Sequence, residues 1–133
     1  MRKRFKNKKQ ASLVLGYRSG LEDRIQKELT DKNVEFKYET LKLSYLQPEK
    51  KRIYTPDFVL ENGIIIETKG RLTTEDRKKM ELIKLQYPNL DIRILFQNSN
   101  TKIRKGSKTT YAQWADKIGY IWAEKHIPES WLI

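Results

Sequence analysis

Asp57 follows Pro56, and ten residues later the chain reads Glu67-Thr68-Lys69. Two carboxylates and a lysine, brought together, make a site for a divalent cation and a scissile phosphate. Hairpin parity decides whether they meet. Tyr54 to Leu60 and Ile64 to Lys69 are rich in β-forming residues, and Glu61-Asn62-Gly63 between them reads as a turn. A two-residue Asn62-Gly63 loop would set Asp57 opposite Thr68, on the face away from Glu67. A three-residue loop, with Gly63 in the left-handed conformation its missing Cβ tolerates, pairs Leu60 with Ile64 and sets Asp57 across from Glu67. Directly opposed side chains have Cβ atoms about 5 Å apart, where like charges repel unless a proton or a cation lies between them. Mg²⁺ fits that gap, because it typically takes one or two carboxylates together with phosphate and water. Lys69 lies two residues beyond Glu67, on the same face, within reach of a phosphate oxygen or an attacking water. The alternative is a solvated surface hairpin, but Ile64, Ile65 and Ile66 point to a strand buried on both faces, where unpaired carboxylates are costly.

The elements that must hold this hairpin alternate between helix and strand. Ser19-Gly20-Leu21-Glu22 has the spacing of a capping box, and Leu21, Ile25 and Leu29 recur every four residues in a helix ending near Asn33. Val34, Phe36 and Tyr38, then Leu41, Leu43 and Tyr45, alternate with polar residues and predict two strands. Thr73 or Thr74 caps a second helix that runs to about Gln86 and is stopped by Pro88. Ile92 to Phe96 predicts a further strand. Tyr111, Trp114, Ala115 and Ile118 follow helical spacing up to Gly119, and a short strand from Tyr120 to Ala123 and a terminal turn complete the chain. With 133 residues, no internal repeat and no sign of a second domain, a single α/β core is expected.

Charge points to the partner. The formal net charge is +11 and the isoelectric point about 9.8, which favours a polyanion. Residues 1–10 hold Arg2, Lys3, Arg4, Lys6, Lys8 and Lys9 without an acid, so residues 1–14 read as a basic flexible tail. The loop after Ser99 holds Lys102, Arg104, Lys105 and Lys108, again without one. Beside a candidate nuclease centre, both runs are expected to touch phosphates and to make binding salt-dependent. An anionic membrane competes as partner, but no long apolar or amphipathic basic helix supports it. The apolar stretch Ala11 to Leu15 is too short for a signal peptide, and no span approaches twenty apolar residues. Cysteine is absent, so disulfides and thiolate zinc sites are excluded, in keeping with a cytoplasmic protein. No glycine-rich phosphate loop argues for a nucleotide cofactor. His126 has no histidine or cysteine partner for a metal, and Trp114 and Trp122 sit in apolar patterns suited to packing.

Pro56-Asp57 with Glu67-Thr68-Lys69 resembles the PD-(D/E)xK nuclease motif, which alone is degenerate. A wider set is more specific: Arg18-Ser19-Gly20-Leu21-Glu22-Asp23, Tyr54-Thr55-Pro56-Asp57-Phe58, Asn62-Gly63-Ile64, Glu67-Thr68-Lys69-Gly70, Asp91-Ile92-Arg93-Ile94 and Lys105-Gly106-Ser107. In order and interval these resemble the phage endonuclease I family of Holliday-junction resolvases, over about residues 15–132. The amino terminus is more densely basic than that pattern. The resemblance implies a restriction-endonuclease-like mixed β-sheet flanked by helices. It implies Mg²⁺-dependent hydrolysis of four-way junctions and other branched DNA, leaving 5′-phosphate and 3′-hydroxyl ends, with one or two ions per site and Mn²⁺ able to substitute. Glu22, which a capping box alone would explain, then joins Asp57, Glu67 and Lys69 in the catalytic set. The carbonyl of Thr68 is a further ligand candidate and Arg18 a phosphate contact. The family also implies a domain-swapped homodimer, exchanging residues 15–45 across a polar, extended bridge near Leu46 to Arg52. A nuclease of ordinary duplex or flap DNA, and a non-catalytic basic DNA-binding protein, are the alternatives.

Overall fold

A computed structural model describes residues 20–47 and 50–133. The basic residues Arg2, Lys3, Arg4 and Lys6, with Arg18 and the expected capping residue Ser19, lie outside the described residues, as do Pro48 and Glu49.

Helix α1 spans Gly20–Asp31 and buries Leu21, Glu22, Ile25 and Leu29. Ile25 and Leu29 are fully enclosed, and each such side chain contributes about 2 kcal/mol of burial. Strands β1 (Phe36–Tyr38), β4 (Phe58–Leu60), β5 (Ile65–Lys69), β6 (Ile92–Phe96) and β7 (Ile121–Glu124) form one sheet in the order β1-β4-β5-β6-β7. Strands β1, β4 and β5 are antiparallel neighbours, whereas β5, β6 and β7 run parallel. The parallel half requires crossovers. Helix α2 (Thr74–Gln86) provides one and helix α3 (Tyr111–Ile118) the other. Among the described residues no helix is long and apolar enough to cross a membrane.

Period-two alternation divides the interior into two cores. Ile65, Ile94 and Phe96 pack with Met80, Ile83, Trp114 and Tyr54. Their chain neighbours Ile66 and Leu95 pack instead with Ile25, Leu29, Phe58 and Trp131. Every residue of β5 is buried, as its isoleucine run predicts.

The helix ends follow the local chemistry. Thr73 caps α2 by accepting from the Asp76 N–H, and the Asp76 carboxylate accepts in return from the Thr73 N–H. Thr110 and Gln113 form the same reciprocal pair at α3, which ends on Gly119 at φ 100°, a conformation that suits glycine.

Two features depart from the sequence reading. Tyr54 to Leu60 is not one strand: Tyr54 ends β3 (Lys50–Tyr54) and β4 begins only at Phe58. Pro56 between them has no N–H to give a ladder. Moreover, the described residues of the polar segment near 46–52 are themselves strand: Leu46 and Gln47 close one strand, and Lys50, Lys51 and Arg52 open β3. Strand β2 (Leu43–Gln47) is antiparallel to β3, from Leu43 with Tyr54 to Gln47 with Lys50. This ribbon rests on the end of α2, where the Gln86 amide bonds both the N–H and the carbonyl of Leu46, at 2.7 and 2.6 Å.

Candidate active site

The turn Glu61-Asn62-Gly63 sets the register of the central hairpin. Gly63 is left-handed at φ 92°, the Leu60 N–H bonds the Ile64 carbonyl, and Phe58 pairs with Ile66. One step further along this register brings Asp57 beside Glu67, as the three-residue loop requires. Asp57 itself lies one residue ahead of β4. Its Oδ2 accepts from both the backbone N–H and the hydroxyl of Thr68, each at 2.8 Å.

Glu67 and Lys69 share the same face of β5. Glu67 Oε1 accepts from the Tyr54 hydroxyl at 2.8 Å, and its Oε2 lies 3.3 Å from the Lys69 ammonium. On its other side that ammonium meets Asp76 Oδ1 at 3.2 Å. Glu22, from the first turn of α1, is 1% exposed, and its carboxylate reaches Asp57 from the opposite core. Asp57, Glu67, Thr68 and Lys69 are likewise buried. All four catalytic residues inferred from sequence therefore sit at one end of the central strands, with Thr68 bracing Asp57.

One acidic residue was invisible to the pattern. Glu39 follows β1, takes a left-handed backbone at φ 53°, and donates its N–H to the Asp57 carbonyl at 3.0 Å. That conformation costs an ordinary residue about 1–2 kcal/mol. Single carboxylate oxygens of Glu22, Glu39 and Asp57 all lie within 4.8 Å of one another. Three hard oxygen donors in that space fit a divalent cation.

The electrostatics suit one. Burial, then the hydrogen bond and charge of Glu22, push the Asp57 carboxyl up to about 7 despite the opposing Thr68 bonds. Burial and the charge of Asp57 likewise raise Glu67 to about 7 against the pull of Lys69, Lys79 and Tyr54. Burial opposes the charge on Lys69, but Glu67 and Asp76 outweigh it and hold the ammonium above its ordinary value.

These shifts make the metal-free protein sensitive to pH. In the unfolded chain both carboxyls titrate near pH 4, so between about pH 4 and 7 the folded chain binds more protons. The stability they contribute is complete below pH ~4 and is lost as pH rises through about 7. Glu67→Gln should therefore melt above wild type at pH 8 without metal, by roughly 5 °C for about 2 kcal/mol, and the advantage should shrink at pH 5. Calorimetry at the two pH values measures it; a constant offset would contradict the assignment.

A basic groove lies alongside. Arg71, Lys102, Arg104 and Lys105 border a cavity of about 790 Å³ between the start of α2 and the 101–110 loop. The buried Arg77 ties its walls together by donating to the carbonyls of Leu72 and Ile103, at 3.0 and 2.9 Å. By contrast, Trp114 and Trp131 are core residues, and the exposed His126 lies 3.6 Å from Glu28, outside the acidic centre.

Buried carboxylates and a lysine at one end of a mixed sheet, with a basic groove at the start of α2, suit a nuclease. The sequence matches the phage endonuclease I family over residues 2–133, and the chain belongs to that family. It is 50% identical over 112 residues to Endodeoxyribonuclease 1 of Enterobacteria phage T3, covering 84% of this chain and 74% of that protein. To Endonuclease I of Escherichia phage T7 it is 49% identical over 119 residues, covering 90% of this chain and 80% of the relative.

Proposed function

We propose that the protein is a structure-selective endonuclease that resolves four-way junctions and other branched DNA by Mg²⁺-dependent phosphodiester hydrolysis. The observation that carries this reading is the meeting of Glu22, from α1, with Asp57 beside the Glu67–Lys69 pair. Asp57, Glu67 and Glu22 would hold one or two ions, with the Thr68 carbonyl as a further ligand and Mn²⁺ as a substitute. Glu39 is the added candidate of the acidic group. When bound, Mg²⁺ neutralises phosphate charge and acidifies water.

The chain's own residues supply positioning. Thr68 fixes one oxygen of Asp57 through two hydrogen bonds, and Tyr54 anchors Glu67. Lys69, its ammonium directed by two carboxylates, orients the attacking water and offsets charge growing on the phosphate. The buried setting lowers the local dielectric and strengthens both effects.

DNA would enter over the basic groove, with Arg18 and the tail residues Arg2, Lys3, Arg4 and Lys6 adding contacts. Replacing Lys102, Arg104 and Lys105 together by alanine should weaken DNA binding and make log affinity against log salt shallower by about 2–3 units. Cleavage at saturating DNA should change little. An unchanged salt slope in a binding titration would remove this loop from the interface.

A resolvase must make two cuts, so the working unit is proposed as a homodimer exchanging residues 15–45. The ribbon supports that exchange. Its five pairs, from Leu43–Tyr54 to Gln47–Lys50, are symmetric about the link between residues 48 and 49. If β2 and β3 ran on as one strand and paired with the same strand of a second copy, every pair would recur across a two-fold axis. Exchange would thus conserve the ladder. Each centre would then combine Glu22 of one protomer with Asp57, Glu67 and Lys69 of the other. Such an enzyme would act in the cytoplasm of a bacterial host.

Cleavage of a labelled four-way junction beside linear duplexes of its arms, with and without Mg²⁺, tests the substrate. Strong preference for the junction is expected, with all cutting lost on chelation. Equal cutting of the linear arms would reduce the reading to a general duplex nuclease.

A further inference from the structure

Arg77, the fourth residue of α2, is buried, and its guanidinium bonds only oxygens of uncharged groups. Nη1 donates to the carbonyls of Leu72 and Ile103, at 3.0 and 2.9 Å, and Nη2 to the Thr74 hydroxyl at 3.0 Å. Among the described residues no carboxylate lies within ion-pair distance of it. A buried cation is costly unless it is hydrogen-bonded, and these acceptors lie on both sides of the basic groove. Leu72 and Thr74 belong to the run into α2, and Ile103 to the 101–110 loop. The planar fork of arginine, with its donors in fixed directions, suits such a tie.

Both walls lead back to the candidate centre. Leu72 stands three residues beyond Lys69, and its N–H donates to the Tyr111 hydroxyl at 3.1 Å. The loop follows β6, and Gln97, just past that strand, donates its N–H to the Lys69 carbonyl at 2.9 Å. The loop is therefore tied twice to the segment that carries Lys69, by Gln97 at the base and by Arg77 at the groove.

We propose that Arg77 is a positioning residue that sets where the strand is cut. Its clasp holds the 101–110 loop at a fixed distance from Lys69, so that phosphates gripped by Lys102, Arg104 and Lys105 decide which phosphodiester meets the acidic centre. The proposal rests on the nuclease reading and on DNA entering over the basic groove. Successive phosphates of one strand advance about 3.4 Å along the axis, and a misplacement of about 1 Å can cost about a hundredfold in rate. A loop released by a few ångströms would thus offer the neighbouring phosphate instead.

Arg77→Met and Arg77→Lys test the clasp. Methionine keeps an unbranched side chain and removes every donor. Lysine keeps the charge, but its ammonium ends one bond short of the guanidinium nitrogens and lacks the fork, so it cannot serve Leu72, Ile103 and Thr74 together. On an end-labelled four-way junction with an immobile branch point, wild type should cut at a narrow set of phosphodiesters. Both variants should spread the cuts by one or more nucleotides along the same strands. The salt slope of binding should stay unchanged, because the cations of the loop remain and the buried Arg77 meets no phosphate.

A readout independent of cleavage is amide exchange in the DNA-free protein. The N–H groups of Leu72 and Ile103 should exchange about tenfold faster or more in both variants, as expected from losing one or two hydrogen bonds, with β5 and β6 unaffected. Cuts that stay in place while these amides loosen would overturn the positioning role, as would a wild type that scatters its own cuts. A wild-type pattern in Arg77→Lys would also overturn it, by assigning the effect to charge. Exchange that rises equally across β5 and β6 would assign Arg77 to the fold. A wild-type protein that cleaves no DNA would instead defeat the nuclease reading beneath the proposal.

Discussion

Asp57→Ala should abolish metal-dependent cutting while DNA affinity stays intact or tightens. The side chain it removes is buried, braced by Thr68 and within 4.8 Å of two other candidate ligands. Losing one electrostatic contact to a transition state costs about 10²–10³ in kcat, and here the cation's contribution goes with it, so about a thousandfold or more is expected. Binding behaves oppositely because a metal-free carboxylate repels phosphate. Lys69→Ala should also stop cleavage, but with slightly weaker binding, since it removes a cation beside the phosphate. Single-turnover cleavage and a binding titration in Ca²⁺ or chelator measure the two effects separately. Parallel loss of both in Asp57→Ala would mean that the residue holds the fold rather than the ion.

The second large effect concerns the pairing of protomers. One chain carrying Glu22→Ala is co-expressed with another carrying Asp57→Ala, and heterodimers are purified. If every site is built within one chain, both centres are defective and nothing is cut. With residues 15–45 exchanged, one centre collects both defects. The other receives an intact Glu22 from the Asp57→Ala chain and an intact Asp57 from its partner. The heterodimer should then nick one strand of a junction although neither parental homodimer cuts. Paired incisions should stay rare. A heterodimer that binds junctions and never nicks them would remove the composite centre and leave the metal chemistry untouched.

The hairpin that carries the candidate site was legible because its parts are local. A three-residue turn with glycine at its left-handed position fixes the register, and the register fixes which residues face each other. The caps at Thr73 and Thr110 and the stop at Gly119 follow equally local rules. Strand β3 was not legible as a strand, since four of its five residues are exposed and no apolar alternation marks them. Tertiary bonds such as those from Gln86 to Leu46 hold its partner, and no local pattern encodes them. Glu39 was missed for a related reason. It is an exposed acid past a short strand, and only the left-handed backbone and the approach to Asp57 give it meaning. Asp76 and Arg77 look like ordinary charges in the first turn of a helix. Their partners, Lys69 and Ile103, are brought to them by the fold.

The central claim is that the carboxylates at the end of β5 form a cation site on which the cleavage chemistry depends. Crystals of the protein soaked in Mn²⁺, with diffraction recorded near the manganese absorption edge, test it directly. The account predicts an anomalous peak bound to Asp57 and to at least one of Glu22, Glu39 or Glu67, at the short oxygen distances of a hard cation, about 2.1 Å for Mg²⁺. The same peak should be absent from Asp57→Ala crystals. A protein that cleaves DNA in Mn²⁺ solution yet shows its only ordered manganese away from Asp57, with cleavage unaffected by Asp57→Ala, would contradict the account.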